Sequence, residues 1–203
     1  MLTSITPLGE RGRGFRWGVT LSFLLLGSTV GGAAMGVLLG LLGDATVGSA
    51  TGASAEWRLY LLAALLGAAF VIELGVAGFA IPTIRRQVDE RWLNAYRGWV
   101  YGFGFGAQLG AGVVTIVSTA SVYVTFAACW LAGAALPGLA IGAVFGAARA
   151  ATLFGARRVR DPGALQELGR RLQRWAPRAR RAALAGELAL ALAAVLVAVG
   201  SLR

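Results

Sequence analysis

Residues 98–148 read GWVYGFGFGAQLGAGVVTIVSTASVYVTFAACWLAGAALPGLAIGAVFGAA, and no charged side chain interrupts them. A helix needs about 20 residues to cross a bilayer core of about 30 Å, so this stretch is long enough for two crossings. Shorter stretches that are nearly free of charge occupy residues 17–43, 57–84 and 182–202. The pattern predicts an all-α integral membrane helical bundle, which forms a single polytopic domain over residues 1–203.

The composition of the chain agrees with a membrane protein and excludes several kinds of chemistry. Of its 203 residues 57% are apolar and 14% are charged, whereas soluble domains carry about 25% charged residues. All 19 basic residues are arginine, histidine is absent, and Cys129 is the only thiol. The chain therefore has no imidazole proton relay, no His-rich metal cage and no two-cysteine redox relay. We expect no enzymatic activity, no metal and no cofactor.

The arginines indicate how the chain crosses the membrane, because cytoplasmic loops carry an excess of positive charge. Arginines cluster before residue 17, at 85–97 and at 157–181, whereas 44–56 has none. An even number of crossings must separate two cytoplasmic loops, so residues 98–156 are predicted to cross twice. We expect a cytoplasmic N-terminus, an external C-terminus and five spans, near residues 17–43, 57–81, 99–132, 138–156 and 182–201.

The third of these predicted spans is too long for one straight helix. Its residues would extend about 50 Å at 1.5 Å per residue. A break is expected between Gly110 and Ser121, where small and hydroxyl-bearing residues cluster. Irregular backbone at membrane depth is tolerated only where protein or a water-filled cavity covers it. Six spans, with a hairpin near Ser118, are the alternative.

Residues 157–181 are predicted to form a basic interfacial helix or loop on the cytoplasmic side. Leucines recur there at helical spacing, and arginines occupy the other faces. Such a helix lies along anionic lipid headgroups, at about 1 kcal/mol for each nearby arginine. Nucleic acid is not an expected partner of so short a loop in a membrane chain. The residues predicted to contact headgroups are Arg170, Arg171, Arg174 and Trp175.

Glycines recur at every fourth residue in the first, third and fourth of the predicted spans. This spacing places them on one face of a helix, where another backbone can approach closely. The first span carries such ladders between Gly27 and Gly40. They predict either tight packing within one bundle or an interface with another subunit, in a homo- or hetero-oligomer. The later glycines predicted to pack helices are Gly98, Gly102, Gly106, Gly110, Gly138 and Gly142.

Polar side chains inside the apolar stretches are expected to point into the bundle. A charge at the middle of a spanning helix costs about 2.5–3.5 kcal/mol on insertion scales. Glu73 and Arg149 have similar predicted depths, so we expect them to pair, either as part of a site or as a purely structural bridge. Arg149 reaching the cytoplasmic surface is a further alternative. The candidate residues for contact with a solute or an ion are Glu73, Gln108, Thr115, Ser118, Thr119 and Arg149.

The order of motifs in the second half of the chain is similar to that of a known family. A Gly-rich segment, Tyr101-Gly102-Phe103-Gly104-Phe105-Gly106, leads to Val114-Thr115-Ile116 and then to Leu136-Pro137-Gly138-Leu139. This order resembles the second half of the DsbD/CcdA membrane electron transporters, which are related to LysE-type exporters. The resemblance implies broken helices around a site at the membrane midplane. Thr115-Ile116 stands where that family has Pro-Cys, so thiol–disulfide transfer is not implied.

Two functions fit these features. The first is a small bacterial inner-membrane transporter or permease for a small solute or ion, with Glu73 and Gln108 near a midplane site. The second is a non-catalytic membrane subunit that anchors or assembles partners through its glycine-rich helix faces. The buried acid and the predicted break favour transport.

Overall fold

The computed structural model describes residues 5–48, 56–75, 95–112 and 119–200. Every regular element in these ranges is helical, as an all-α bundle requires. A 3-10 helix, Thr152–Arg158, follows α6. The α-helices are α1 (Pro7–Gly12), α2 (Trp17–Val47), α3 (Glu56–Leu74), α4 (Gly98–Ala111), α5 (Ser121–Leu131), α6 (Ala135–Ala151) and α7 (Pro162–Gly200).

Several helices have the length and the surface of membrane-spanning segments. Large apolar side chains on them point outward: Leu38, Val144 and Leu196 are 63%, 70% and 71% exposed. A lipid environment accommodates such surfaces, whereas soluble monomers rarely expose large apolar patches. Helices long and apolar enough to cross a membrane are found at Trp17–Val47, Glu56–Leu74, Ala135–Arg158 and Pro162–Gly200. These features support the predicted class, a helical membrane protein.

Helix α2 packs against α4 through backbone-to-backbone contacts at glycine. The two helices run parallel, since Gly27 faces Phe103 and Gly31 faces Ala107 one turn further on. A Cβ atom on either glycine of α2 would lie within 3.0 Å of the α4 backbone. The glycines on the α4 side of this contact, which face α2 residues between Thr20 and Gly32, are Gly98, Gly102, Gly106 and Gly110.

The opposite side of α2 packs against α6 in the same way, but the two helices are antiparallel. A Cβ atom on any of three α2 glycines would lie within 3.0 Å of a carbonyl oxygen of α6 or of the residue preceding it. Ser28 lies where the three helices meet, and its hydroxyl donates a 2.7 Å hydrogen bond to the carbonyl of Gly146. The facing positions are Gly32 with Gly142, Gly36 with Gly138, and Gly40 with Ala134.

The glycine ladders are therefore occupied by helices of the same chain. Close approach lets the aligned backbones make extensive van der Waals contact, which drives helix association in lipid. Association with a second copy through these same faces stays a prediction, and it would require the helices that now cover them to move.

Helix α3 ends earlier than the predicted span at 57–81. Its last residue is Leu74, and Gly75 follows with φ 75°, the left-handed conformation that commonly ends a helix. Residues 76–81 lie outside the described residues. Glu73 is consequently in the last turn of α3, whereas the sequence placed it about two turns before the end of its span.

Helix α7 is a single helix of 39 residues, with no interruption between the predicted interfacial segment at 157–181 and the predicted span at 182–201. At 1.5 Å per residue it is about 58 Å long. Pro177 lies inside the helix near this junction without ending it, and most of the residues around it are alanine, arginine and leucine, which are strong helix formers. Its C-terminal half packs against α3.

The contact between α2 and α6 can be tested by adding one methyl group. In Gly36→Ala the new Cβ would meet the backbone of Gly138, which is unable to move aside, whereas Gly67 of α3 has nothing within 4 Å. We expect Gly36→Ala to lower the free energy of unfolding by about 1–3 kcal/mol, the usual effect of overpacking. Gly67→Ala should be neutral or stabilise the protein by up to about 1 kcal/mol. Unfolding in mixed detergent micelles, followed by circular dichroism, measures both values, and equal stability of the two variants would contradict the packing.

Candidate functional site

Helix α4 ends near the middle of α2, where Gly110 faces Ser28 and Gly32. Helix α4 ends at Ala111, Gly112 has φ 73°, and α5 begins at Ser121. At its far end α5 reaches the C-terminal part of α2, where the Trp130 indole N–H donates a 2.9 Å hydrogen bond to the Thr46 hydroxyl. Residues 113–118, and with them the predicted site residues Thr115 and Ser118, lie outside the described residues. Free helix ends expose peptide groups that need polar partners.

Glu73 supplies such a partner for the start of α5. Its Oε1 accepts a 2.9 Å hydrogen bond from the backbone N–H of Ala120 and a longer one, 3.4 Å, from the Ser121 hydroxyl. A carboxylate at a helix N-terminus is also stabilised by the helix dipole. Arg180 of α7 donates a hydrogen bond to the backbone carbonyl of Glu73 at the end of α3. Glu73 thus joins three helices.

Glu187 of α7 is the second carboxylate at this place. It is 5% exposed, and it lies next to both Ser121 and Glu73. Neither of its oxygens has a hydrogen-bond partner among the described residues. A buried charge without partners is costly, so this side chain is the most unusual polar group of the site.

A cavity of about 300 Å³ lies on the other side of Ser121. The guanidinium of Arg149 lies over the Phe145 ring, 5.3 Å from its centroid, at one wall of this cavity. Gly112 lies against the same two side chains, and a Cβ atom there would meet Phe145 and Arg149 at 3.3 Å. The residues that line the cavity are Thr119, Ser121, Val122, Thr125, Phe145 and Arg149.

The structure brings some of the predicted site residues together and separates others. Thr119 and Arg149 line the cavity, and Glu73 lies behind it, in contact with Ser121. Gln108 is partly buried on α4 and does not line the cavity. The expected ion pair between Glu73 and Arg149 is not present among the described side chains, where Glu73 caps α5 instead. Depth along a helix, which the sequence indicates, does not determine which way a side chain points.

This arrangement suits a small polar solute. Three hydroxyls and a guanidinium offer donors and acceptors, an aromatic face offers an apolar wall, and two carboxylates lie behind Ser121. Sites of this kind, mostly apolar with a few polar groups that fix orientation, are typical of small-molecule binding. In the described part of the chain no group of three or more metal-ligating side chains occurs.

Glu10, which the sequence analysis did not single out, forms a second buried polar cluster. It has no exposed surface and lies on the short helix α1. Its carboxylate accepts 2.6 Å hydrogen bonds from the hydroxyls of Thr20 and Tyr101 and from the guanidinium of Arg13. Burial alone would lower the pKa of Arg13, but the hydrogen bonds and charge interactions with Glu10 and Tyr101 together outweigh it, and the pKa is raised. The cluster fastens α1 to the first turns of α2 and α4.

The sequence carries a weak signal for this cluster. Thr6 followed by Pro7 is a common helix start, and the Thr6 hydroxyl does accept a hydrogen bond from the N–H of Gly9. Glu10 is the single acid in an N-terminal segment that otherwise carries arginines. Nothing in the sequence indicates that Glu10 pairs with Tyr101, which lies 91 residues later in the chain.

Arg58 closes the opposite end of the bundle. It is 4% exposed, and its guanidinium donates hydrogen bonds to the carbonyl of Leu131 at 2.9 Å and to those of Val47 and Gly48 at 2.7 Å. A cation at the C-terminal ends of α2 and α5 satisfies their last carbonyls and complements both helix dipoles. The sequence indicated only that Arg58 interrupts an apolar stretch.

The basic half of α7 is exposed. Arg170, Arg171 and Arg174 all contact Glu167, at 3.1–3.2 Å, and the hydrogen bond from Arg171 lowers the pKa of that carboxyl. Exposed ion pairs of this kind add little stability. Trp175 is 62% exposed and stacks with Arg178. Contact of this surface with lipid headgroups stays a prediction.

Comparison with known proteins gives one relative. No family model matches the sequence, and no solved structure matches it. The chain is similar to the methylamine utilization protein MauF of Paracoccus versutus, with 30% identity over 151 residues. The match covers 72% of this chain but 54% of MauF, so the chain spans about half the length of that relative. The resemblance to the DsbD/CcdA transporters stays a prediction.

The Glu10 cluster should contribute strongly to stability. Glu10→Ala leaves two buried hydroxyls and Arg13 without their shared acceptor, and we expect the free energy of unfolding to fall by about 3–5 kcal/mol. Glu167→Ala removes an exposed carboxylate of α7 and should leave stability unchanged. Detergent unfolding followed by tryptophan fluorescence compares the two variants. A Glu10→Ala protein as stable as the Glu167→Ala protein would contradict the cluster's role.

Proposed function

We propose that this protein is a bacterial inner-membrane transporter that binds a small solute in the cavity between α5 and α6. The observation that carries the proposal is the juxtaposition of the interruption between α4 and α5, the cavity beside it and the two carboxylates behind Ser121. Broken helices around a polar site at membrane depth are a common design of secondary transporters.

The proposed topology has five crossings, with the N-terminus in the cytoplasm. In it α4 and α5 form one broken third span. Two features support this: α4 runs parallel to α2 along its N-terminal part, and α5 reaches the C-terminal part of α2 at Trp130. The arginines of the N-terminal segment and of the first half of α7 then lie on the cytoplasmic side, as the positive-inside rule requires. The basic half of α7 meets anionic headgroups there.

The proposed solute is a small amine in its protonated form, such as methylammonium. Support comes from the similarity to a methylamine utilization protein and from the chemistry of the site. Two carboxylates attract a cation, hydroxyls accept hydrogen bonds from an ammonium group, and the Phe145 ring offers a cation–π face. The positive charge of Arg149 repels a cation, and because Arg149 lines one wall of the cavity, this repulsion would direct the ammonium group toward the carboxylates.

Uptake of radiolabelled methylammonium into proteoliposomes tests the site. Thr125→Val removes a hydroxyl that lines the cavity while keeping the shape of the side chain, and we expect uptake to fall about tenfold, the effect of losing one hydrogen bond of about 1.4 kcal/mol. Thr29→Val is the matched control, because the Thr29 hydroxyl also bonds to its own helix, at Leu25, but does not line the cavity. Wild-type uptake in the Thr29→Val protein is expected. Equal uptake in both variants would remove the cavity from the transport path.

A further inference from the structure

The carboxylate of Glu187 lies next to that of Glu73, and no ion pair joins it to a cation among the described residues. It lies 95% buried beside Ser121 and Glu73, with neither oxygen hydrogen-bonded among the described residues. Two negative charges this close repel each other, and a low-dielectric surrounding strengthens the repulsion. A cation must therefore bind between them, or one of the two carboxylates must be neutral.

The neighbouring charged groups do not supply that cation. Arg180 donates its hydrogen bond to the backbone carbonyl of Glu73, and no ion pair in the described part of the chain involves Glu73 or Glu187. Arg149 of α6 lies across the cavity, over the Phe145 ring. Among the described residues of α3, α5, α6 and α7, no other charged side chain forms an ion pair or a hydrogen bond with Glu187.

The two carboxylates also differ in what surrounds them. Glu73 accepts hydrogen bonds from a helix N-terminus and from Ser121, which stabilise its ionised form. Glu187 lies beside the same Ser121 hydroxyl but receives no backbone N–H donor, and it is more deeply buried. When two coupled acids have unequal surroundings, the first proton binds to the one whose charge is less stabilised.

We propose that Glu73 and Glu187 hold one proton between them, carried by Glu187, and that this proton is exchanged for the cationic solute. The O–H bond of Glu187 breaks when the ammonium group approaches, the proton passes to water in the cavity, and the carboxylate then faces the cation. Return of a proton reverses these steps. The exchange rests on the proposed transport of an amine, whereas the held proton does not.

Infrared spectroscopy detects the held proton without any solute. The full chain is reconstituted in vesicles of diether phosphatidylcholine and phosphatidylglycerol, whose ether-linked chains carry no carbonyl group, and the carbonyl-stretch band of a protonated carboxyl group is recorded at neutral pH. We expect the wild-type protein to show this band and Glu187→Gln to lose it. Glu167→Gln, which changes an exposed acid of the same helix, is the control and should keep it.

The outcomes separate the alternatives. Absence of the band from the wild-type protein, or its survival in Glu187→Gln, would overturn the proposal. Circular dichroism and elution from gel filtration check that each glutamine variant is folded.

Adding methylammonium chloride to the same vesicles tests the exchange. The band of the wild-type protein should decrease, and a pH-sensitive dye in a weakly buffered medium should report proton release. Choline chloride, whose bulkier cation has no N–H to donate, should leave the band unchanged. A band that methylammonium leaves unchanged would overturn the exchange step. Uptake of methylammonium with no effect on the band would overturn it too while leaving the transport proposal standing.

Discussion

The start of α5 imposes the constraint on which the rest of the site depends. A helix that begins inside an apolar bundle exposes backbone N–H groups, and each unsatisfied group in a hydrocarbon surrounding costs several kcal/mol. Glu73 meets this need by accepting a hydrogen bond from Ala120 and another from Ser121. Through this contact the end of α3 lies against the start of α5, and Glu187 of α7 lies beside it. Gly112, which has no side chain, leaves space for Arg149. The cavity, the hydroxyls and the two acids all lie around the start of α5.

The other helices of the bundle hold the start of α5 in place. Helix α2 packs between α4 and α6 at backbone separations that only glycine permits. The Ser28 hydroxyl of α2 also donates a hydrogen bond to the Gly146 carbonyl of α6. Buried polar clusters close the two ends, with Glu10 fastening α1 at one end and Arg58 joining α2 to α5 at the other. Each cluster is satisfied by several donors or acceptors, so both charges are compatible with burial. Beside Ser121, by contrast, the carboxylate of Glu187 is buried without a hydrogen bond among the described residues.

The sequence was sufficient to predict the helical membrane class and the positions at which helices approach closely, because both follow from local periodicity. It was insufficient for the polar contacts. Glu73 and Arg149 have matching depths but different directions, and Glu187 belongs to the site only because α7 packs on α3. Glu10 and Tyr101 are 91 residues apart in the chain, and no local pattern links them. The end of α3 at Leu74 depends on Gly75, and α7 continues through Pro177 because most residues around it favour helix. Neither feature follows from the lengths of the apolar stretches.

Water access to the cavity is the property that most directly tests this account. Cys129, the buried native thiol, would be replaced by alanine, and single cysteines introduced at Thr125 in the cavity and at Leu196 on the outer face of α7. A membrane-impermeant methanethiosulfonate reagent reacts with the thiolate, which forms only where water reaches the sulfur. The account predicts that the cysteine at position 125 reacts at least about tenfold faster than the one at 196. Equal, slow reaction at both positions would show that water does not reach the cavity and would contradict the account.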